Sequence, residues 1–134
     1  MRSKRSTYGA ARHFSVVAIL PGVEGQTAIN WGKIYVADRV CTVLSISEVH
    51  ETLSTDAGAG VILERLQGVE VSGAGDALAA ETLLTSANNT PLTPVITGGA
   101  VMTLAIGDRL NLIDNVAGLT ALVGVCITVE LVEA

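Results

Sequence analysis

Two histidines, His13 and His50, set the first limit on the chemistry this chain could perform. The string His50-Glu51-Thr52-Leu53-Ser54 begins as a zinc-protease helix begins, with a glutamate following the first metal ligand. That helix needs a second histidine four positions on, and position 54 is serine. The segment therefore reads as a polar strand end entering a turn. A cupin-type metal barrel would need clustered histidines and a carboxylate, which this chain does not supply. Serine chemistry has no Gly-x-Ser-x-Gly elbow to carry it. A triad of Ser45 or Ser47 with His50 and Asp56 fails on strand alternation, which puts both serines on the face opposite His50. Gly58-Ala-Gly60 and Gly73-Ala-Gly75-Asp76 look like pieces of a phosphate cradle, but no Lys-Ser/Thr follows either one, and they read as loop glycines. The residues point to a chain that is not an enzyme, with no metal and no cofactor.

The elements that carry these residues are strands. From Leu122 to Val132 the sequence alternates, with Val123, Val125, Ile127, Val129 and Leu131 on one face and Gly124, Cys126, Thr128 and Glu130 on the other. A second long run, Val40 to His50, places Leu44 and Ile46 on one face and Val43, Ser45, Ser47 and Val49 on the other. Shorter strands are expected at Phe14–Leu20, Ile34–Ala37, Val61–Leu66, Leu83–Thr85, Val101–Ile106 and Arg109–Asp114. Asp76–Leu84 is the one segment given a helical turn. Turn residues separate the runs: Thr55-Asp-Ala-Gly-Ala-Gly60, the exposed loop Ser72–Asp76, Ala87-Asn-Asn-Thr-Pro91, Gly98-Gly99, Gly107-Asp108 and Asp114-Asn115 with Gly118. Strands at such spacing predict an all-β fold, an antiparallel β-sandwich or jelly-roll-like barrel, in one domain over residues 14–134.

Composition then separates an arm from this body. Residues 1–13 hold Arg2, Lys4, Arg5 and Arg12 with no acid, while the rest of the chain holds four basic and thirteen acidic residues. An extended basic N-terminal arm with net charge +4 thus precedes a body of net −9. Such an arm binds acidic surfaces, and Arg2, Lys4, Arg5, Tyr8 and Arg12 are its candidate partner-binding residues. Nucleic acid is not expected, because the body is acidic and no aromatic platform interleaves with the arm. The chain as a whole is 49% hydrophobic with mean hydropathy +0.53 and only 16% charged. So much aliphatic content in 134 residues implies that part of it faces another subunit or partner. No run approaches the roughly 18 to 20 apolar residues that span a bilayer, so no membrane association is expected. The basic start followed by Phe14–Leu20 imitates a secretory signal poorly, since its short apolar run contains a serine and reads equally well as a strand. Cys41 and Cys126 both fall in strand-like runs and are read as reduced thiols, in keeping with assembly in a cytoplasm.

At His50-Glu-Thr-Leu-Ser-Thr-Asp-Ala-Gly58, at Val61–Gly68 and at Ile106-Gly-Asp-Arg-Leu-Asn-Leu-Ile113 the chain resembles the capsid decoration, or cement, proteins of tailed bacteriophages. The likeness is one of pattern and turn chemistry over roughly Ile34 to Leu131. Here the basic arm is longer than that pattern requires, and Pro91 and Pro94 interrupt the centre. The resemblance implies a structural virion protein on the outer capsid surface, bound to the major capsid protein, often as a homotrimer, and stabilising the shell against internal pressure. The alternative is another phage structural β-sandwich: a head-fibre base, a tail component or a receptor-binding module. A carbohydrate-binding module would want aromatic platforms, and only Trp31 and Tyr35 are available for one.

Overall fold

The computed structural model describes residues 12–20, 30–53, 60–79, 82–114 and 122–134. Eight strands order as β1 (His13–Leu20), β2 (Asn30–Val36), β3 (Cys41–Val49), β4 (Val61–Leu66), β5 (Asp76–Ala77), β6 (Thr103–Leu104), β7 (Arg109–Asp114) and β8 (Val125–Glu133). They form two antiparallel four-stranded sheets, β1-β8-β3-β6 and β2-β7-β4-β5. The first strand pairs with the eighth, the second with the seventh, the third with the sixth and the fourth with the fifth. This is one long hairpin rolled over itself, the jelly-roll version of the expected sandwich. Among the described residues no helix is long and apolar enough to cross a membrane.

Alternation makes the core. Val125, Ile127, Val129 and Leu131 of β8 are buried as expected, and they face Leu63, Leu110 and Leu112 of the other sheet along with Cys41, Val43 and Ile46 of β3. Gly124, at φ +70, ends the regular run, and Val123 makes an isolated bridge to Thr52 instead. Full removal of such side chains from water is worth about 1.5–3 kcal/mol each, so this face dominates the stability of the sandwich.

β3 departs from the expected faces. Its pairing with β8 shifts register between Val43 and Ser45, leaving Leu44 as the extra residue of a β-bulge. Val43 and Ile46 therefore both point inward although their numbers differ in parity, and Leu44 is exposed. Beyond the bulge the inward positions are Ile46, Glu48 and His50.

Other differences have local causes. β2 starts at Asn30, earlier than expected, because Gly32 at φ +83 and two register shifts let the strand continue where propensity gives no signal. Leu83 makes only a bridge to Val61, since Leu84 at φ +71 leaves the extended region. Asp76–Ala77 pairs with Glu64 and Arg65 as a short strand in place of the expected helical turn. The one helical turn among the described residues is a 3-10 turn at Gly99–Met102, and β6 follows it over two residues only.

Candidate functional site

The polar residues that the fold buries bond to its own backbone and to one another. Glu64 and Asn111 are cross-strand partners on the outer side of the β2-β7-β4-β5 sheet. The Glu64 carboxylate accepts hydrogen bonds from Gly73 N (2.7 Å), Gly75 N (3.1 Å) and Asn111 Nδ2 (3.1 Å). Three neutral donors thus compensate a buried carboxylate and draw the 67–75 loop down over the sheet. Gly75 comes so close that a Cβ there would collide with the Arg65 carbonyl. The loop that sequence reading left exposed at Ser72–Asp76 is in part a lid on this network. On the inner side, the Arg65 guanidinium donates to Ala100 O (2.9 Å), Thr103 O (3.0 Å) and Asp76 Oδ2 (2.9 Å), tying β5 to the start of β6.

His50 refines a second expectation. It follows the end of β3, in keeping with a polar strand end, but is only 1% accessible, and its Nδ1 lies 2.8 Å from Glu48 Oε2. The other oxygen of Glu48 accepts from Leu84 N at 2.9 Å, which helps hold that leucine in the left-handed region that a branched side chain seldom adopts. An imidazole beside a carboxylate resembles half of a catalytic triad, yet both side chains have no solvent exposure. A substrate would have to reach Nε2, the one ring atom without a protein partner, through closed packing. In this fold the pair acts as a tie between β3 and the chain near Leu84. Ser45 and Ser47 lie on the opposite face of β3, and Ser54 and Asp56 fall outside the described residues. Among the described residues no three His, Cys, Asp or Glu side chains gather as a metal site.

The cysteines sit apart as well. Cys41 is paired with Glu133 and Cys126 with Val49, at opposite ends of β3. At about 3.3 Å per residue they are roughly 25 Å apart, beyond any disulfide within the chain. Burial raises the Cys41 thiol above its usual range and keeps it protonated.

What the fold does gather is one end of the sandwich. Of the arm residues, Arg2, Lys4, Arg5 and Tyr8 lie outside the described residues. Arg12 is exposed, and its carbonyl accepts from Glu133 N at 2.8 Å, so the arm enters the sandwich where β8 ends. The 37–40, 67–75 and 105–108 connections lie at this same end, because β2 and β4 finish opposite Arg109, the first residue of β7. They present Val36, Val40, Val69 and Ile106 to solvent, with Val69 98% and Ile106 69% exposed.

These connections are fixed in place. Ala37 N donates to Asp108 O and Gly107 N to Ala37 O, each at 2.8 Å, joining the loops of the two sheets. The Asp108 carboxylate accepts from Ala105 N (2.9 Å), and Gly107 at φ +93 completes the turn that lifts Ile106. Arg109 donates to Gly68 O (2.8 Å) and Glu70 O (3.0 Å), anchoring the loop around Val69. Arg39 lies 5.0 Å over the Phe14 ring and pairs with Asp38 (2.9 Å) and Glu133 (3.3 Å). The Arg39 hydrogen bond holds Asp38 below the usual carboxylate range.

Sequence reading marked the basic arm, most of which lies outside the described residues, and missed both the aliphatic end and the buried acids. Nothing in the sequence announces that a loop returns over Glu64. No protein-family model, curated protein or solved structure matches this chain.

Proposed function

We propose that the chain is a non-enzymatic structural component of a tailed-phage virion, decorating the outer capsid surface by docking its arm end on the major capsid protein. The observation that carries this reading is the juxtaposition at one end of Val36, Val40, Val69 and Ile106 with the entry of the basic arm. Exposed aliphatic side chains on loops locked by backbone hydrogen bonds suit docking, since little conformational freedom is left to lose on binding. The arm adds attraction for an acidic neighbour, small for each charge and screened by salt. A jelly roll hosts many functions, so the argument rests on this end rather than on the fold.

Purified chain mixed with undecorated shells of its phage tests the proposal, with bound copies located by electron microscopy. Many copies spread over the shell are expected. Val69→Asp with Ile106→Asp should weaken binding at least about tenfold without lowering the melting temperature, because both side chains are exposed. Deleting residues 1–11 should weaken binding most at low salt. Absence of shell binding overturns the capsid reading, and localisation to the tail or to a fibre would favour the alternative structural component.

A further inference from the structure

Among the described residues four strands edge the two sheets: β1 and β6 in one, β2 and β5 in the other. An open strand edge is a template for pairing, and proteins blunt it with short strands, charges, prolines or bulges. Three of the four edges are blunted here. β5 and β6 have two residues each, and β2 carries Lys33, Gly32 at φ +83 and two register shifts. β1 has none of these devices. Its eight residues, His-Phe-Ser-Val-Val-Ala-Ile-Leu, include no Lys, Arg, Asp, Glu or Pro and pair with β8 in unbroken register.

We infer that the β1 edge binds the β1 edge of a second copy of this chain, antiparallel across a two-fold axis at Val17, joining two four-stranded sheets into one. The hydrogen-bonding geometry sets this register. Arg12 O accepts from Glu133 N, so Arg12 faces β8, and by antiparallel alternation Phe14, Val16 and Ala18 do too. The backbone groups of Ser15, Val17 and Ile19 then face the open edge. Pairing Val17 with its symmetry mate sets Ser15 opposite Ile19 and forms about six hydrogen bonds.

The side chains agree with it. Val17 is 56% exposed and Ile19 75% exposed on the outer face, and the two-fold brings both pairs into one aliphatic strip. Self-complementarity selects a second copy as the occupant. The two-fold sets Val17 against itself and Ser15 against Ile19, so β1 meets its own copy with no charged side chain at the centre, where two acidic bodies would otherwise repel. Such an interface is isologous and closes as a dimer, in place of the trimer that the family resemblance implies. It does not depend on the capsid reading and uses a different surface.

The test needs only the purified full chain. Sedimentation velocity and native mass spectrometry should show a dimer. Val17→Lys places like charges across the axis, and Val17→Pro removes an N–H that faces the open edge and leaves the β8 ladder intact. Each should weaken dimerisation by about a hundredfold with an unchanged melting transition of the monomer. In a Cys126→Ser background, Val17→Cys should oxidise to a covalent dimer, because residues in a hydrogen-bonded pair lie about 5.5 Å apart. Ser15→Cys, offset from its own mate, should not. A monomeric or trimeric wild type, a dimer that survives Val17→Lys, or cross-linking through Ser15→Cys in place of Val17→Cys would overturn the inference.

Discussion

On the outer side of the β2-β7-β4-β5 sheet, Glu64 and Asn111 lie under a loop of the chain itself, whereas on the outer side of the β1-β8-β3-β6 sheet Val17 and Ile19 stand in the open. One covering is intramolecular and polar: a carboxylate gathers three N–H donors, and glycine at 75 lets the loop approach to contact. The other surface holds hydroxyls and aliphatics, with Ser15 donating to Glu130 as its one charged contact among these strands (2.8 Å). The face that keeps a buried acid has been closed by its own chain, and the one that keeps bare valine and isoleucine is open to solvent.

The largest way to break this contrast is Glu64→Ala, which strips Gly73, Gly75 and Asn111 of their acceptor. A loss of about 3–5 kcal/mol is expected in denaturant unfolding, as for a buried network deprived of its central partner. A loss below about 1 kcal/mol would show that the loop does not need the carboxylate.

A finer comparison replaces each buried glutamate by glutamine. At position 64 all three partners are donors, so the new amide must turn its NH2 against one of them at a cost of about 1–3 kcal/mol. At position 48 the amide oxygen can still accept from Leu84 N while its NH2 donates to His50 Nδ1, costing less than about 1 kcal/mol. Equal costs from parallel urea titrations would remove the distinction between an acid held by donors alone and one held by a titratable ring.

The smallest effect belongs to the bare face. Ile19→Ser, made in the Val17→Lys background so that no dimer contributes, should change unfolding free energy by less than about 0.5 kcal/mol. A larger loss would mean that Ile19 packs within its own chain.

The strands that alternation set, β4, β7 and most of β8, were legible because each has a regular inward set: Leu63, Leu110 and Leu112, Val125 to Leu131. The face of β3 was not, since a bulge adds a residue without any turn-forming type at Leu44. Leu84 shows the same limit from the other side, a leucine held at positive φ by a carboxylate distant in sequence. Of the candidate site, the arm was visible as a run of charge. The aliphatic end was not, because Val36 and Val40, Val69, and Ile106 come from three separate stretches of chain that only the rolled hairpin brings together.

The β1–β8 ladder also has a mechanical meaning. The arm joins β1 at Arg12, and eight register pairs from His13–Val132 to Leu20–Val125 lie along the line of that strand. Tension applied along the arm, with the body held, loads those rungs in shear and in parallel, so they share the force instead of opening one at a time. A strand placed this way is a tether that yields late, and a chain anchored through it resists being pulled from its support far better than one hung from a hairpin tip.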